Sequence, residues 1–341
     1  MDINALFDYS EDKNEDAKAL NVFIEGGIGD NAITVSWIEA FKDFIEPNQP
    51  INLYSRHPKF LKICCPWADV KSNIKFDRDF VNMDFAIIVT DMVVFRLNVD
   101  RLNMTPKMAI IFQKYLNSLK SFGQFFARFP RTAPMFSAAA VAAGMKRYDF
   151  IFKQVDLPFS DFKYECDRPK DMPEKCLLIN DGFAAWHKIA RATKCWDLGN
   201  WDSFLREFKI SHPDITTVQI GGENSVPLRT DINLISKTTL TEMIAWTLHA
   251  QYYVGNDSGP THIRHWSKKP SVVLFGPSPE AYYGYPENIN LSTNGCQPCY
   301  WQIDEWNEIC KLGRATCLRL SEITSEKVME ALGGVINDNK G

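Results

Sequence analysis

Three groups of residues in this 341-residue chain could do chemistry. The first is Asn256-Asp-Ser-Gly-Pro-Thr-His262, followed by Pro270-Ser-Val-Val-Leu-Phe-Gly276-Pro277. Polar residues and a glycine stand where an apolar strand must give way to a helix. Ser and Asp cap helices, and a glycine there lets a ligand approach the backbone. A helix start offers N–H groups and partial positive charge, which suit a diphosphate. Asp257 could hold a sugar hydroxyl beside it, so the pattern reads as a nucleotide-sugar site. The second group is Gly26-Gly-Ile-Gly-Asp30. Gly27, Gly29 and Ala32 fit G-x-G-x-x-A, but a dinucleotide site needs an acid about 20 residues on, and Tyr54-Ser-Arg-His57 supplies none. Asp30 at that turn either caps a helix or acts as a general base toward a hydroxyl. The third group is Cys296, Cys299, Cys310 and Cys317, spaced C-x2-C-x10-C-x6-C. Four thiolates could hold tetrahedral zinc or iron in a structural role. The alternatives are reduced thiols around a small core with Trp301 and Trp306, or a disulfide.

The elements that position these residues alternate strand and helix. Asn21–Glu25 reads as a strand, Ala32–Phe44 as a helix with Ile33, Trp37, Ala40, Phe41 and Phe44 on one face, and Ile51–Tyr54 and Phe85–Thr90 as strands. An aromatic, basic helical region runs from Pro106 to about Ala143, a possible contact for an anionic glycolipid or simply a solvated face. Asp156–Pro173, with its prolines and charges, reads as a linker. Strands at Cys176–Asn180, Thr217–Ile220, Tyr252–Val254 and Ser271–Phe275 then alternate with helices near Trp201–Phe208, Thr241–His249, Thr261–Ser267 and Ser325–Leu332. The expected fold is α/β: two doubly wound Rossmann-like domains facing a cleft, spanning residues 21–160 and 173–334. Residues 1–20 read as a disordered acidic tail.

Composition narrows the function. With 38 basic and 42 acidic side chains the formal net charge is −4, which gives no footprint for nucleic acid. No apolar run approaches the roughly 20 residues of a spanning helix, and no secretory signal opens the chain. Nine cysteines, an odd number, suit a reducing compartment, so a cytoplasmic protein is expected, with peripheral contact at the inner membrane as an option.

In order along the chain, Gly29-Asp30, Lys194-Cys-Trp196, Gly221-Gly222, Asn256–His262, Pro270–Gly276 and Cys296-Gln-Pro-Cys299 resemble glycosyltransferase family 9, the ADP-heptose:lipopolysaccharide heptosyltransferases. The match is continuous from about Cys176 to Leu332 and thinner before it. The resemblance implies a GT-B fold and inverting transfer; no catalytic metal is expected, since Lys194 and the helix start at Ser258 can replace one. It implies Asp30 as base, Lys194 on the donor phosphates, and Asp257, Ser258, Gly259 and His262 on the sugar and diphosphate. Glu223 is implied at the ribose, with Gly26, Gly27 and Gly29 as the glycine turn. Arg191 or His187 could assist Lys194, and Asp77-Arg78-Asp79 is the alternative metal motif. Arg264, His265 and Pro260-Thr261 depart from the family pattern. Related protein heptosyltransferases carry an iron-binding cysteine finger, which adds iron to the expectation for segment 296–317. The implied partners are an ADP-heptose-like donor and a glycolipid or protein acceptor. A non-catalytic nucleotide-sugar-binding or scaffold protein is the reading of another class.

Overall fold

The computed structural model describes residues 19–45, 49–72, 85–89, 93–97, 105–122, 133–182, 193–300, 302–303, 306 and 308–338. The expectations for the acidic tail, Asp77–Asp79, His187, Arg191 and Trp301 fall outside these residues, apart from the tail's last two.

The N-terminal sheet is built from β1 (Leu20–Ile24), β2 (Ile51–Ser55), β3 (Asp69–Ser72), β4 (Phe85–Val89) and β5 (Val93–Leu97), in the order β3-β2-β1-β4-β5. It is parallel except for β5, which pairs antiparallel with β4. The helices are α1 (Ile28–Phe44), α2 (Pro58–Cys64), α3 (Pro106–Phe122), α4 (Ala133–Ala142) and α5 (Arg147–Lys153). The periodic face read for α1 is the buried one, with Trp37 and Phe41 stacked 4.9 Å apart. Four elements of this half were not read from the sequence, β5 among them. α2 and α5 have seven residues each, too short to show a period, and β3 is four residues with one buried.

The C-terminal sheet holds β6 (Cys176–Asn180), β7 (Thr216–Ile220), β8 (Ile232–Asn233), β9 (Tyr252–Asn256), β10 (Val272–Leu274) and β11 (Ile289–Leu291), all parallel, in the order β11-β10-β9-β6-β7-β8. Its helices are α6 (Leu198–Ser211), α7 (Leu240–His249), α8 (Gly259–Arg264), α9 (Glu280–Tyr283), α10 (Leu318–Ser321) and α11 (Ser325–Asp338). Both faces of this sheet are covered, so β6 and β9 are buried along their whole length and read as unbroken apolar runs.

Strand order locates the site. In each sheet the chain leaves the first strand in one direction and later returns to its other side, which opens a crevice at the strands' C-terminal ends. In the first sheet that switch lies between β1 and β4, beside the glycine turn. In the second it lies between β6 and β9, beside Asn180, Asp181 and Asp257. One apolar cluster runs from the N-terminal core into Ile263, Trp266, Phe275 and Tyr283 of the other half. Trp266 donates to the Ala32 carbonyl at 3.3 Å and packs on Phe60 and Phe162. The halves are therefore joined by buried packing next to the crevice.

Candidate active site

Asp30 is the third residue of α1, and its carboxylate is held from two sides. Oδ2 accepts from the Gly27 N–H at 2.6 Å, the reach-back half of a capping box. Oδ1 accepts from Arg147 Nη1 at 2.5 Å. Arg147 is almost wholly buried, while Asp30 keeps a 31% exposed side chain that solvent or substrate can reach. Burial alone would raise the Asp30 pKa. The charge and hydrogen bond of Arg147, the Gly27 N–H and the nearby His262 outweigh it, so the carboxyl lies below its ordinary 3.8. Capping and a functional position therefore coincide in one side chain. Gly26 has φ +98°, and a Cβ there would run into the Asp30 carboxylate, so only glycine fits. His57, before α2, lies within electrostatic reach of Asp30. Burial lowers its pKa against that carboxylate's pull, so its ring is neutral at pH 7.

The second half contributes Lys194 and Asp257. Lys194 is fixed through its own backbone: its carbonyl accepts from Asn256 Nδ2 at 3.0 Å, and two residues on the Trp196 N–H donates to Asp181 at 3.0 Å. Lys194 Nζ lies 2.9 Å from Asp257 Oδ2 and 3.1 Å from the Asp257 carbonyl, and 4.9 Å from the Trp306 ring centroid. Ser278 Oγ donates to the same Asp257 oxygen at 2.5 Å, and His262 Nε2 faces Oδ1 at 3.3 Å. Burial opposes the Asp257 charge, but Lys194, His262 and Ser278 overcome it and hold the pKa far below the carboxylate range. His262 completes the link between the halves. Its Nδ1 lies 2.9 Å from the Tyr285 hydroxyl, and a Cβ on Gly29 would fall 2.8 Å from its ring. Gly29 and Gly259 lie against one another where α1 meets α8.

The turn at Ser258 differs from its sequence reading. Ser258 occupies the N-cap of α8, but its hydroxyl donates to Asn180 Oδ1 at 2.8 Å rather than capping the helix. Pro260 brings no N–H, and Thr261 donates to the Ser258 carbonyl, so Gly259 is the first-turn N–H left for an anion. Glu223 sits in an exposed turn beyond the end of β7, on the crevice edge of the sheet. Of the polar departures, Arg264 closes a helix end and His265 backs Tyr285. Arg264 is fully buried and donates to the carbonyls of Thr247, Ala250 and Gln251 at 2.9, 2.7 and 3.2 Å, closing the end of α7. His265 bonds Glu287 at 2.5 Å and stacks on Tyr285 at 3.8 Å. Arg147, Ser278 and Tyr285 were missed because each reaches the site from a distant element, and nothing local in the sequence marks them.

The comparisons agree with this architecture. Residues 153–310 match the description Glycosyltransferase family 9 (heptosyltransferase). Over these residues the chain is similar to that family. Lipooligosaccharide heptosyltransferase 2 of Campylobacter jejuni is 24% identical over 198 residues, 53% of this chain and 57% of that protein. The chain spans 23% to 59% of the length of the curated relatives it matches. Two solved structures share the fold. E. coli ADP-heptose lps heptosyltransferase II has TM-score 0.57 at 12% identity, covering 95% of this chain and 100% of that one. The iron-containing dodecameric glycosyltransferase TibC of enterotoxigenic E. coli H10407 has TM-score 0.60 at 14% identity, covering 95% and 77%. The fold is GT-B, with two Rossmann-like sheets.

The family 9 region includes the first three of the four late cysteines. All four line one cavity with Pro277, Lys311 and Arg314. Cys299 and Cys317 are buried, while Cys296 and Cys310 lie nearer the surface. Burial, reinforced by the neighbouring sulfurs, pushes the Cys299 thiol up to about 11. Among the described residues no group of three or more His, Cys, Asp or Glu is gathered closely enough to hold a metal ion. The four expected ligands thus share a cavity without closing into a coordination set. Among the described residues no helix is long and apolar enough to cross a membrane.

Proposed function

We propose that the protein is an inverting glycosyltransferase that moves a heptose or similar sugar from an ADP-sugar to a hydroxyl acceptor, a lipopolysaccharide core sugar. The observation that carries this reading is the juxtaposition of two carboxylates with different roles, on the switch points of two sheets with His262 between them. Asp30 is ionised and reachable. Asp257 is buried and bound to Lys194.

The acceptor hydroxyl donates to Asp30. Its oxygen attacks the anomeric carbon, the bond to the diphosphate breaks, and the proton passes to the Asp30 carboxylate. A carboxylate with a lowered pKa is a weak base, so the proton moves late, when the new C–O bond has made the hydroxyl acidic. The departing diphosphate gains charge as the bond breaks. Lys194 commits two of its three N–H groups to Asp257 and can turn the third to a phosphate oxygen, with the Gly259 N–H alongside. These fixed donors lower the barrier because they need no reorganisation. Glu223, at the rim, would meet the ribose.

The four cysteines are the candidate donors for a thiophilic ion, zinc or iron: four soft donors line one cavity, and binding would deprotonate them and have to draw them together. Cys296, Cys299, Cys310 and Cys317 would hold it in a structural role. That cluster favours a second reading, a protein acceptor, because related protein heptosyltransferases carry such a finger. Titration calorimetry with ADP, UDP and GDP tests the donor, with Lys194→Ala as control. Selective ADP binding lost in the variant supports the proposal, and UDP or GDP selectivity changes the donor. Donor binding without turnover on any acceptor would favour the non-catalytic reading. Intact-mass analysis after co-expression with candidate proteins separates a protein acceptor from a glycolipid.

A further inference from the structure

Three consecutive carbonyls beside the proposed donor site are held by the cysteine segment and by the arginine just after it. Gly276 O accepts from Arg319 Nη1 at 3.0 Å. Pro277 O accepts from the Cys299 and Tyr300 N–H groups at 3.0 and 3.1 Å. Ser278 O accepts from Arg319 Nη1 at 3.2 Å. Arg319 is buried, stands two residues after Cys317, and is itself pinned by Glu280 at 2.5 Å and the Thr293 carbonyl at 3.3 Å. The loop has no slack, since a Cβ on Gly276 would fall 2.7 Å from Leu320 and 3.1 Å from the Thr193 carbonyl. From this clamped loop Ser278, fully buried, sends its hydroxyl to Asp257. The other partner of the pair is held from the same segment. Thr193 Oγ1 donates to the Trp306 carbonyl at 3.0 Å, and Lys194 lies over the Trp306 ring. Trp306 stands between Cys299 and Cys310 in the chain.

We infer that the cysteine segment is a clamp that positions the Lys194–Asp257 pair, with Arg319 and Ser278 as the positioning residues through which it acts. This rests on reading that pair as the donor diphosphate site. Both act through protein contacts. Arg319 fixes the loop, the loop aims the Ser278 hydroxyl, and the hydroxyl fixes which way the Asp257 carboxylate presents itself to Lys194. A hydrogen bond to a buried charge sets geometry as well as energy, so a freed carboxylate would draw Lys194 away from phosphate.

The test is calorimetric titration of the full chain with ADP, together with hydrogen exchange of the peptide covering residues 254–262 in ADP-free protein. Ser278→Ala and Arg319→Lys are each expected to weaken ADP about tenfold, a loss typical of one charged hydrogen bond. The double variant should be no weaker than either single one, because Arg319 acts through Ser278. Ser278→Thr, which keeps the hydroxyl, should recover most of the affinity. Exchange should rise in the 254–262 peptide while β6 and β7 stay protected. Additive losses would overturn the inference, and so would unchanged affinity with unchanged exchange. If wild type binds no ADP yet exchange rises in both variants, the clamp stands and the donor reading falls. Should Arg319→Lys fail to fold, an unchanged exchange pattern in Ser278→Ala still overturns the clamp.

Discussion

Arg147 and Asp30 lie 117 residues apart in sequence and 2.5 Å apart in space, and the arginine is the more deeply buried of the two. A buried guanidinium beside a reachable carboxylate fixes the charge and direction of the group assigned as base. Replacing Asp30 by Asn removes the carboxylate that faces that guanidinium, so the variant should lose both activity and stability. The expected loss in kcat/KM is about 10²- to 10⁴-fold. Destabilisation should be roughly 3–5 kcal/mol, the usual result of breaking a buried pair from one side. Turnover assays and denaturant titration of the same variant check both. Full transfer by Asp30→Asn would remove Asp30 from the mechanism.

Removing the partner instead should move a pH profile. Asp30 titrates below 3.8, so its required charge is present across the ordinary range and is lost only as pH falls below that value. In Arg147→Met the largest opposing influence is gone and burial raises the pKa. The acid limb of kcat/KM should therefore shift upward, so that activity falls at a pH where wild type is still on its plateau. Unshifted limbs would mean that Arg147 does not tune Asp30.

Lys194→Ala has a stability signature of its own. The depressed pKa of Asp257 contributes stability that is present above the unfolded-state value near 3.8 and lost as pH falls through the lower folded-state value. Without Lys194 the carboxylate is buried with less compensation. The variant should be less stable than wild type by about 3–5 kcal/mol at pH 7. The gap should narrow in acid, where the carboxyl becomes neutral. Denaturant midpoints measured from pH 7 downward would show it, and a gap independent of pH would assign Lys194 a packing role only.

Gly29 and Gly26 make separate steric predictions. Gly29→Ala puts a methyl against the His262 ring where the two halves meet. It should reduce kcat about tenfold or more by shifting one carboxylate relative to the other. Gly26→Ala adds a left-handed φ to a collision with Asp30, and should cost on the order of 1–2 kcal/mol besides activity. Gly334→Ala, which lies in α11 and meets nothing within 4 Å, is the control that should keep wild-type activity.

Thiol labelling followed by mass spectrometry checks the cysteine cavity. In metal-free protein at pH 7.5, Cys296 and Cys310 should label well before Cys299 and Cys317. Both slower thiols are buried, and burial pushes the Cys299 thiol up to about 11, which leaves almost no thiolate. Added zinc or iron(II) should protect all four together. Protection of only two would reject the four-sulfur site.

What the chain order alone determined was the alternation of strands and helices, the two turns carrying Asp30 and Asp257, and the four cysteines, because those signals are local. Strand runs such as Cys176–Asn180 are legible since a strand buried on both faces is apolar throughout. The glycine turn is legible because a left-handed φ and a close carboxylate admit no other residue. The tertiary structure decided the rest. That Lys194 is bound to Asp257 and not free depends on β6 and β9 being neighbours, which no local pattern encodes. Arg147, Ser278 and Tyr285 reach the site across 117, 21 and 23 residues of chain to Asp30, Asp257 and His262, and a single arginine, serine or tyrosine carries no period to be read. Whether Ser258 caps its helix, or Arg264 faces the ligand, was likewise settled by partners that only folding brings near: Asn180 for the serine, and the carbonyls closing α7 for the arginine.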